Sequence, residues 1–290
     1  MKRALGPGLL CAALVLFATV AAASSVPVSQ EVDLESGIVA GAAARPGTDS
    51  PRELTTDLRY VVSPQITNNL LLRLGAEWER FGFAASPASA VPDTLQHVNA
   101  IVGFDYQLAD QWLMRAEVQP GVYGDFRQTG WRQVDVPLVI GAAYLKSADL
   151  QWFFGLRVDA KSQLPVLPAF GFRWQMDETW TLNMQLPQPR VEYGINGKHL
   201  AYLGAVIKAG TFTVGERFGS DRGNPRLNGA TVDYTEVRVG PGWSWKVLPT
   251  ATIEAEAGYA PWRIWDFFDQ NVQLHSSPAP YLQLGCHLRF

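Results

Sequence analysis

Strict alternation of apolar and polar residues over long stretches is the feature that most limits how this chain can fold. Between Gln96 and Leu108, alternate positions are apolar: Val98, Ala100, Val102, Phe104, Tyr106 and Leu108. The positions between them are mostly polar or small, and include His97, Asn99, Gly103, Asp105 and Gln107. Because successive side chains of a strand point to opposite faces, this period of two predicts β-strands and not helices.

The same alternation continues along most of the chain, for example from Trp112 to Phe126 and from Gln151 to Asp159. Most of the predicted strands exceed the roughly 5 or 6 residues that are usual in globular proteins. A tilted strand needs about 9 to 11 residues to cross a bilayer. We therefore expect an all-β fold, a transmembrane antiparallel up-and-down β-barrel whose apolar faces contact lipid and whose polar faces line the lumen.

The pattern predicts 12 strands, at about 66–80, 95–107, 111–126, 133–145, 150–160, 166–175, 179–194, 199–207, 210–218, 231–247, 251–264 and 279–290. The connections between them alternate between short and long, which is typical of outer-membrane barrels. This count treats 179–194 as one strand despite Pro187 and Pro189, and it leaves 54–63 outside the barrel. Counting both extra segments gives the alternative of 14 strands.

The N-terminal segment has the features of an export signal. Lys2 and Arg3 precede an apolar stretch from Leu9 to Val20, and Ala21 to Ala23 offer a cleavage site for a signal peptidase. The apolar stretch is shorter than the roughly 20 residues of a membrane anchor. We expect residues 1–23 to be a signal peptide and 53–290 to be the barrel. Residues 24–52 are rich in Ala, Gly, Ser and Pro and are predicted to be a flexible periplasmic lead-in, with a strand at 33–41 as the alternative.

Charge and cysteine content exclude several classes of protein. Without residues 1–23, which contain two of the 24 basic residues, 22 basic residues face 27 acidic ones. This mildly acidic balance excludes a nucleic-acid binder. Cys286 is the only cysteine after residue 23, so an internal disulfide framework is also excluded. We find no metal-ligand spacing and no phosphate-binding loop, and predict no cofactor.

The last ten residues resemble the C-terminal sorting signal of bacterial outer-membrane barrels. One face carries Leu282, Leu284, Cys286, Leu288 and Phe290, and the chain ends on that phenylalanine. The resemblance implies that the barrel-assembly machinery recognises the C-terminal strand and that the protein is an integral component of the outer membrane.

The mature region also resembles a family of predicted outer-membrane barrels that is defined only as a domain of unknown function. The resemblance is carried by Arg115–Asp125, Val136–Gly141 and Pro189–Tyr193. It implies the fold and the compartment, and it supplies no activity and no functional residues.

Charged side chains on the polar faces are expected to line the lumen, because an Arg or Lys that faces lipid at the midplane costs roughly 2 to 4 kcal/mol. The predicted lumen-lining residues are Arg73, Glu77, Asp105, Arg115, Glu117, Asp125, Arg157, Asp159, Arg173, Glu236, Arg238, Glu254 and Glu256. Both signs occur in similar number, which favours a narrow and weakly selective pore for small polar solutes. The alternative is a structural outer-membrane component whose lumen is closed by Arg–Glu pairs.

A lipid-modifying enzyme is the third hypothesis. The only adjacent His and Ser residues in the sequence are His275, Ser276 and Ser277, in a predicted loop that also contains Asp269. A catalytic His needs a hydroxyl within hydrogen-bond reach and a third group that orients it. We expect a solvated polar loop and predict no catalytic residue. The aromatic residues Trp243, Trp245, Trp262, Trp265, Phe267 and Phe268 are predicted to form girdles at the membrane boundaries.

Overall fold

The structure is a computed structural model that describes residues 28–41, 50–86 and 89–290. The predicted signal peptide, residues 1–23, lies outside the described residues.

The described residues form one closed antiparallel barrel. Its segments are β1 (Val28–Val39), β2 (Arg52–Thr67), β3 (Leu70–Ala84), β4 (Thr94–Ala109), β5 (Trp112–Val118), β6 (Gly121–Gly124), β7 (Val134–Asp135), β8 (Leu138–Leu145), β9 (Leu150–Val158), β10 (Val166–Gln175), β11 (Trp180–Asn183), β12 (Arg190–Gly194), β13 (His199–Thr213), β14 (Thr231–Leu248), β15 (Ala251–Phe267), β16 (Val272–His275) and β17 (Ala279–Arg289). Consecutive strands pair when β5 with β6, β7 with β8, and β16 with β17 are each taken as one strand, and β1 pairs with β17 to close the barrel.

The barrel has 14 strands, since β5 with β6, β7 with β8, and β16 with β17 each form one interrupted strand. This is the second of the two predicted counts. Segment 179–194 divides into β11 and β12, whereas 199–213 is a single strand with no turn at 208–209. Lys208 instead points into the lumen, where its Nζ lies 3.6 Å from Glu35 and 3.5 Å from Glu79.

Strands β1 and β2 account for the remaining difference between the 12 predicted strands and the 14 observed. Strand β1 lies inside the predicted lead-in at 24–52, and that prediction is corrected for residues 28–39. This strand pairs with β2 on one edge and with β17 on the other. Its charged residues face the lumen, where Glu31 lies 3.6 Å from Arg73 and Asp33 lies 2.8 Å from Nδ1 of His287. Two ladders of backbone hydrogen bonds thus outweigh the Ala- and Gly-rich composition of its surroundings.

Connections at the two ends of the barrel differ in length. One end, called the short-turn end here, holds residues 68–69, 110–111, 146–149, 176–179, 195–198 and 249–250. The opposite end, called the long-loop end, includes 40–41, 50–51, 85–86, 89–93, 125–133, 159–165 and 214–230. The chain enters β1 and leaves β17 at the short-turn end, so the predicted alternation of short and long connections also holds for 14 strands.

The outer surface is apolar and carries an aromatic girdle at the short-turn end. Outward-facing rings there include Trp112, Tyr144, Trp152, Trp174, Trp180, Tyr193, Trp243 and Trp245. Neighbouring rings contact each other, with centroids 4.9 Å apart for Trp180 and Tyr193 and 6.1 Å for Trp243 and Trp245. Such girdles mark the boundary of a hydrocarbon layer. Among the described residues, no helix is long and apolar enough to span a membrane.

The predicted girdle on β15 is only partly correct. Trp262 is exposed on the outer surface, but Trp265 and Phe267 are fully buried inside the barrel. The register between β14 and β15 shifts between Val237 and Val239. This irregularity reverses the inward and outward positions of β15 beyond residue 260.

Candidate functional site in the barrel lumen

A buried ion network crosses the lumen between β2, β14 and β15. It contains Glu53, Glu236, Arg238 and Arg263, none of whose side chains is exposed to solvent. Nε of Arg238 donates to Glu236 at 2.7 Å, and its guanidinium lies 3.5 Å from Glu53. Arg263 lies 3.3 Å from the other oxygen of Glu53. Two arginines therefore face two glutamates, and none of the four side chains is exposed to solvent.

Neutral side chains complete this network. Tyr234 donates its hydroxyl to Glu53 at 2.8 Å and to Glu236 at 3.1 Å. Arg238 also donates to Gln283 at 2.7 Å and to Thr55 at 3.3 Å. Buried charges require such additional hydrogen bonds to offset desolvation. The network therefore links strands β2, β14, β15 and β17 across the lumen.

A second network lies on β3, β4 and β5. Nε of Arg73 donates to Glu117 at 2.6 Å, and its guanidinium lies 3.6 Å from Asp105 and from Glu31. Arg115 makes a two-pronged contact with Asp105 at 2.7 and 2.8 Å. The network joins β1, through Glu31, to β5.

Smaller groups occupy the rest of the polar faces. Glu77 accepts a hydrogen bond from Asn99 at 3.3 Å and lies 3.7 Å from His97. Arg190 lies 3.2 Å from Glu254. Tyr281 donates its hydroxyl to Glu256, which is buried.

An apolar cluster, called the plug here, fills part of the lumen at the long-loop end. Its members are Phe81, Phe83, Val91, Leu95, Tyr123, Phe212, Val214, Phe218, Leu227, Ala230, Val232, Tyr234, Trp265 and Phe267. The 214–230 connection folds into the barrel mouth and buries Phe218 and Leu227 there. Asp125 anchors this connection by accepting the backbone N–H of Gly215 at 2.9 Å.

The wall is pinched beside the plug. Gly124 at the end of β6 pairs with Thr213 at the end of β13, although these strands are not neighbours in the wall. The ring of His97 stacks between Tyr123 and Phe212, with centroids 5.1 and 6.4 Å away. The barrel is therefore divided into a packed side (β13–β17, β1–β4 and β6) and an open side (β5 and β7–β12).

One row of inward positions on the open side holds small residues beside an exposed arginine, whereas the neighbouring row places Phe153 between Ala143 and Gly171. Arg115, Gly141, Gly155 and Ala169 lie side by side across β5, β8, β9 and β10. The Arg115 side chain is 41% exposed, against 8% for its partner Asp105. Arg157 is 35% exposed and lies 3.6 Å from Asp159, which is 6% exposed. Water in this part of the lumen therefore meets cations, while their carboxylate partners are buried.

The structure places the predicted lumen residues in five settings. Glu236 and Arg238 belong to the buried network, and Arg73, Asp105, Arg115 and Glu117 form the second network. Arg157, Asp159 and Arg173 line the open side, the last opposite Gln151 and Asn183 in register. Glu77, Glu254 and Glu256 form the smaller groups. Asp125 follows β6 and lies in a connection, where it holds the plug in place instead of lining a strand.

Sequence reasoning missed Glu53 and Arg263, which complete the buried network. The alternation of Glu53, Thr55 and Asp57 with Leu54, Thr56 and Leu58 carries the signal for the first. Arg263 gives no such signal, because the irregularity in β15 changes the face on which it lies.

The His275 loop does not form a Ser–His pair. His275 Nε2 lies 3.0 Å from Gln273 Oε1, whereas Ser276 accepts a hydrogen bond from Arg263 at 2.7 Å and donates one to the carbonyl of Ser277. Among the described residues, no group of three or more His, Cys, Asp or Glu side chains could hold a metal ion.

Solved barrels of low sequence identity are similar to this chain. The NanC porin is 13% identical, with a TM-score of 0.39, and the match covers 89% of this chain and 98% of that one. An outer membrane channel from Pseudomonas putida F1 is 12% identical, with a TM-score of 0.45 and coverage of 92% and 97%. The KdgM porin is 8% identical, with a TM-score of 0.37 and coverage of 90% and 99%.

Family membership is settled by sequence. A comparison with curated proteins found no significant match. The model of one protein family, described as Domain of unknown function (DUF6268), matches residues 65–288, which is most of the barrel. The chain therefore belongs to the DUF6268 family.

Proposed function

We propose that this protein is an outer-membrane channel that provides a narrow, weakly selective path for small polar solutes. The observation that carries the proposal is the open side of the lumen, where small inward residues leave space and Arg115 and Arg157 remain exposed. The apolar outer surface and the aromatic girdle support an outer-membrane location after export. Fractionation of cells that express the full chain tests this location.

The path runs along β8, β9 and β10. The buried network and the plug fill the opposite side of the lumen, so the free cross-section is smaller than the strand number alone suggests. An open barrel of 16 to 18 strands holds an aqueous channel, whereas about 8 strands leave only room for side chains. A partly filled barrel of 14 strands thus suits solutes the size of small metabolites.

Selectivity follows from which charges meet water. The total lumen charge is mixed, but the exposed members of the open-side ion pairs are arginines. Charged side chains in a pore select permeants by their sign. We expect a modest preference for anions, weakened by the carboxylates directly behind the guanidinium groups.

Conductance in planar bilayers tests the channel. The expected result is small, reproducible conductance steps with a reversal potential that favours chloride over potassium in a salt gradient. Arg157→Gln should reduce that preference, because it removes an exposed cation. The matched control is Arg217→Gln, since Arg217 is 78% exposed but lies on the 214–230 connection outside the path.

A closed structural barrel is the second candidate, and the zero exposure of the buried network favours it. It predicts no conductance steps from well-folded protein at any voltage or salt concentration. That result would reject the channel. The proposal includes no chemical reaction, and unchanged lipid composition on incubation with the protein would agree with this.

A further inference from the structure

Within the part of the chain that the structure describes, the otherwise closed barrel wall has a gap between the long-loop ends of β10 and β13. Strand β10 pairs with β9 along Val166–Trp174, but with β11 only over Arg173–Gln175, and one more bond joins Met184 to the carbonyl of Phe172. The β11–β12 hairpin then turns back, with the N–H of Gln188 bonded to the carbonyl of Gln185 at 3.0 Å. This hairpin is too short to reach the level at which β10 and β13 end.

The other border of the gap is the half of β13 that lies nearest the long-loop end. Strand β12 pairs with β13 up to Gly204, and the carbonyls of Pro189 and Pro187 accept the N–H groups of Ala205 and Ile207. Beyond Ile207, the edge of β13 that faced β12 has no neighbouring strand among the described residues until Thr213 meets Gly124.

In an antiparallel sheet the backbone N–H and C=O groups of alternate residues point toward the same neighbouring strand. This rule identifies the backbone groups that face the gap. Since Phe172 bonds toward β11, the alternate residues Phe170, Pro168 and Val166 point the same way. Since Ile207 bonds toward β12, Ala209 and Thr211 do likewise. Proline is confined to edge strands within sheets because it has no N–H to donate. Pro168 thus lies at a position typical of an unpaired edge.

The depth of the gap follows from the aromatic girdle. From Trp180 in the girdle to the tip of the hairpin near Leu186, a tilted strand rises about 15 Å. The apolar band of an outer-membrane barrel is roughly 25 Å tall. The gap therefore opens within the upper part of this band, and the exposed outward side chains of Val166 and Phe170 at its border are apolar.

Hydrocarbon cannot satisfy the peptide groups of an open sheet edge. Such edges are tolerated at membrane depth only where protein covers them or where they line a water-filled cavity. The inward-facing Leu167 is 49% exposed, so solvent reaches the lumen side of β10 at this level. A water-filled opening accounts for both observations.

The 159–165 connection closes the opening at the long-loop end. Ser162 Oγ and the N–H of Gln163 donate to one carboxylate oxygen of Asp233 at 3.1 and 2.9 Å. Thr211 donates to the other oxygen at 2.7 Å. The connection thus bridges β10 to the ends of β13 and β14, and the gap becomes a bounded window.

We infer that this window is a lateral passage between the open side of the lumen and the lipid of the outer leaflet, and that it admits small solutes with an apolar portion. At the level of the hairpin the two borders are separated by about three strand spacings, or roughly 14 Å. The apolar rim (Val166, Phe170 and Leu186) favours an apolar group, and the peptide edges and the lumen favour a polar one. This passage goes beyond the proposed pore for polar solutes.

Cysteine labelling tests the window directly. In a Cys286→Ser background reconstituted in phosphatidylcholine vesicles, Ala209→Cys should react with a charged, water-soluble maleimide about tenfold faster than Thr235→Cys, because a thiol in hydrocarbon stays protonated and out of reach. Thr235 pairs directly with Ala209 on the intact side of the wall and is the matched control. The pair Phe170→Cys and Phe154→Cys repeats the comparison across β10 and β9. Equal, slow labelling within both pairs would overturn the window.

Transfer of a solute tests the passage separately from the pore. Capping Ala209→Cys with a bulky maleimide should slow transfer of the apolar dye N-phenylnaphthylamine several-fold and leave ion conductance unchanged, whereas capping Thr235→Cys should change neither. Unchanged dye transfer after complete capping would refute the passage. Absence of conductance in every variant would reject the proposed pore, while the labelling contrast would still decide the window.

Discussion

Arg238 and Glu236 lie two residues apart on β14, and the guanidinium Nε donates to the carboxylate at 2.7 Å although neither side chain is exposed to solvent. The pair lies on one face because residues i and i+2 of a strand point the same way. Its lack of exposure comes from β2 and β15, which bring Glu53 and Arg263 against it. The pair therefore links a sequence pattern to the packing of the lumen.

Removing one charge from this network should destabilise the barrel strongly. Arg238→Met leaves two carboxylates with a single arginine, and an unpaired buried charge costs about 3 to 5 kcal/mol. Urea unfolding in vesicles measures the change. The double variant Arg238→Met/Glu236→Leu restores charge balance and should recover part of the loss. Arg289→Met is the control, because that side chain is half exposed, and a loss as large as that of Arg238→Met would argue against a buried network.

Loosening the plug should expose the 214–230 connection. Phe218 is buried and its ring lies 5.9 Å from that of Phe267, and truncation of a buried Phe to Ala costs about 3 to 5 kcal/mol. Phe218→Ala should therefore speed tryptic cleavage after Arg217, Arg222 or Arg226. Phe170→Ala truncates an exposed ring on the outer wall and should leave cleavage unchanged. Identical cleavage rates for the two variants would show that Phe218 does not hold the connection.

Strand β1 should be required for closure. The backbone N–H of Gln30 bonds to Phe290 at 3.0 Å, so the N–H of Leu34 also points toward β17. Leu34→Pro removes that donor, whereas Leu34→Ala shortens the side chain and keeps it. We expect the heat-modifiable band of a folded barrel to be lost or much reduced in the proline variant only. Full folding of Leu34→Pro would indicate that residues 28–39 are a lead-in and not a required strand of the barrel.

Phe290 is the terminal residue that pairs with β1, and we propose that the assembly machinery recognises the strand that it ends. Phe290→Ala should lower the amount of folded barrel in the outer membrane of cells but leave refolding of purified protein into detergent unchanged. An equal loss in both experiments would assign the effect to barrel stability instead of recognition.

The turn between β10 and β11 should show a pH dependence. Backbone N–H groups of Trp180 and Thr179, with the Thr179 hydroxyl, donate to Asp177 and hold the pKa of its carboxyl below its usual value. A depressed pKa contributes stability above the unfolded value of about 3.9, which is lost as the pH falls through the lower folded value. Carboxyl NMR in micelles should give a midpoint below that of an unstructured Asp, and a midpoint at or above it would contradict these contacts.

Period-two alternation was sufficient to predict the barrel, the direction of its faces and most of the lumen residues, because strand geometry is local. It also indicated 14 strands as one of two counts. The choice between them depended on β1, whose composition resembles a linker and whose closing partner, β17, lies at the far end of the sequence. Leu34 and Cys286, for example, become neighbours only when the barrel closes.

The residues themselves determined that charges face inward and apolar groups face outward, since the bilayer admits no other arrangement. Tertiary structure alone decided which of those charges meet water. Arg238 on β14 and Arg157 on β9 both point into the lumen. Arg238 is fully buried against Glu53 and Gln283, whereas Arg157 is partly exposed. The sequence does not reveal this difference, because solvent access depends on how strands on opposite sides of the lumen approach one another.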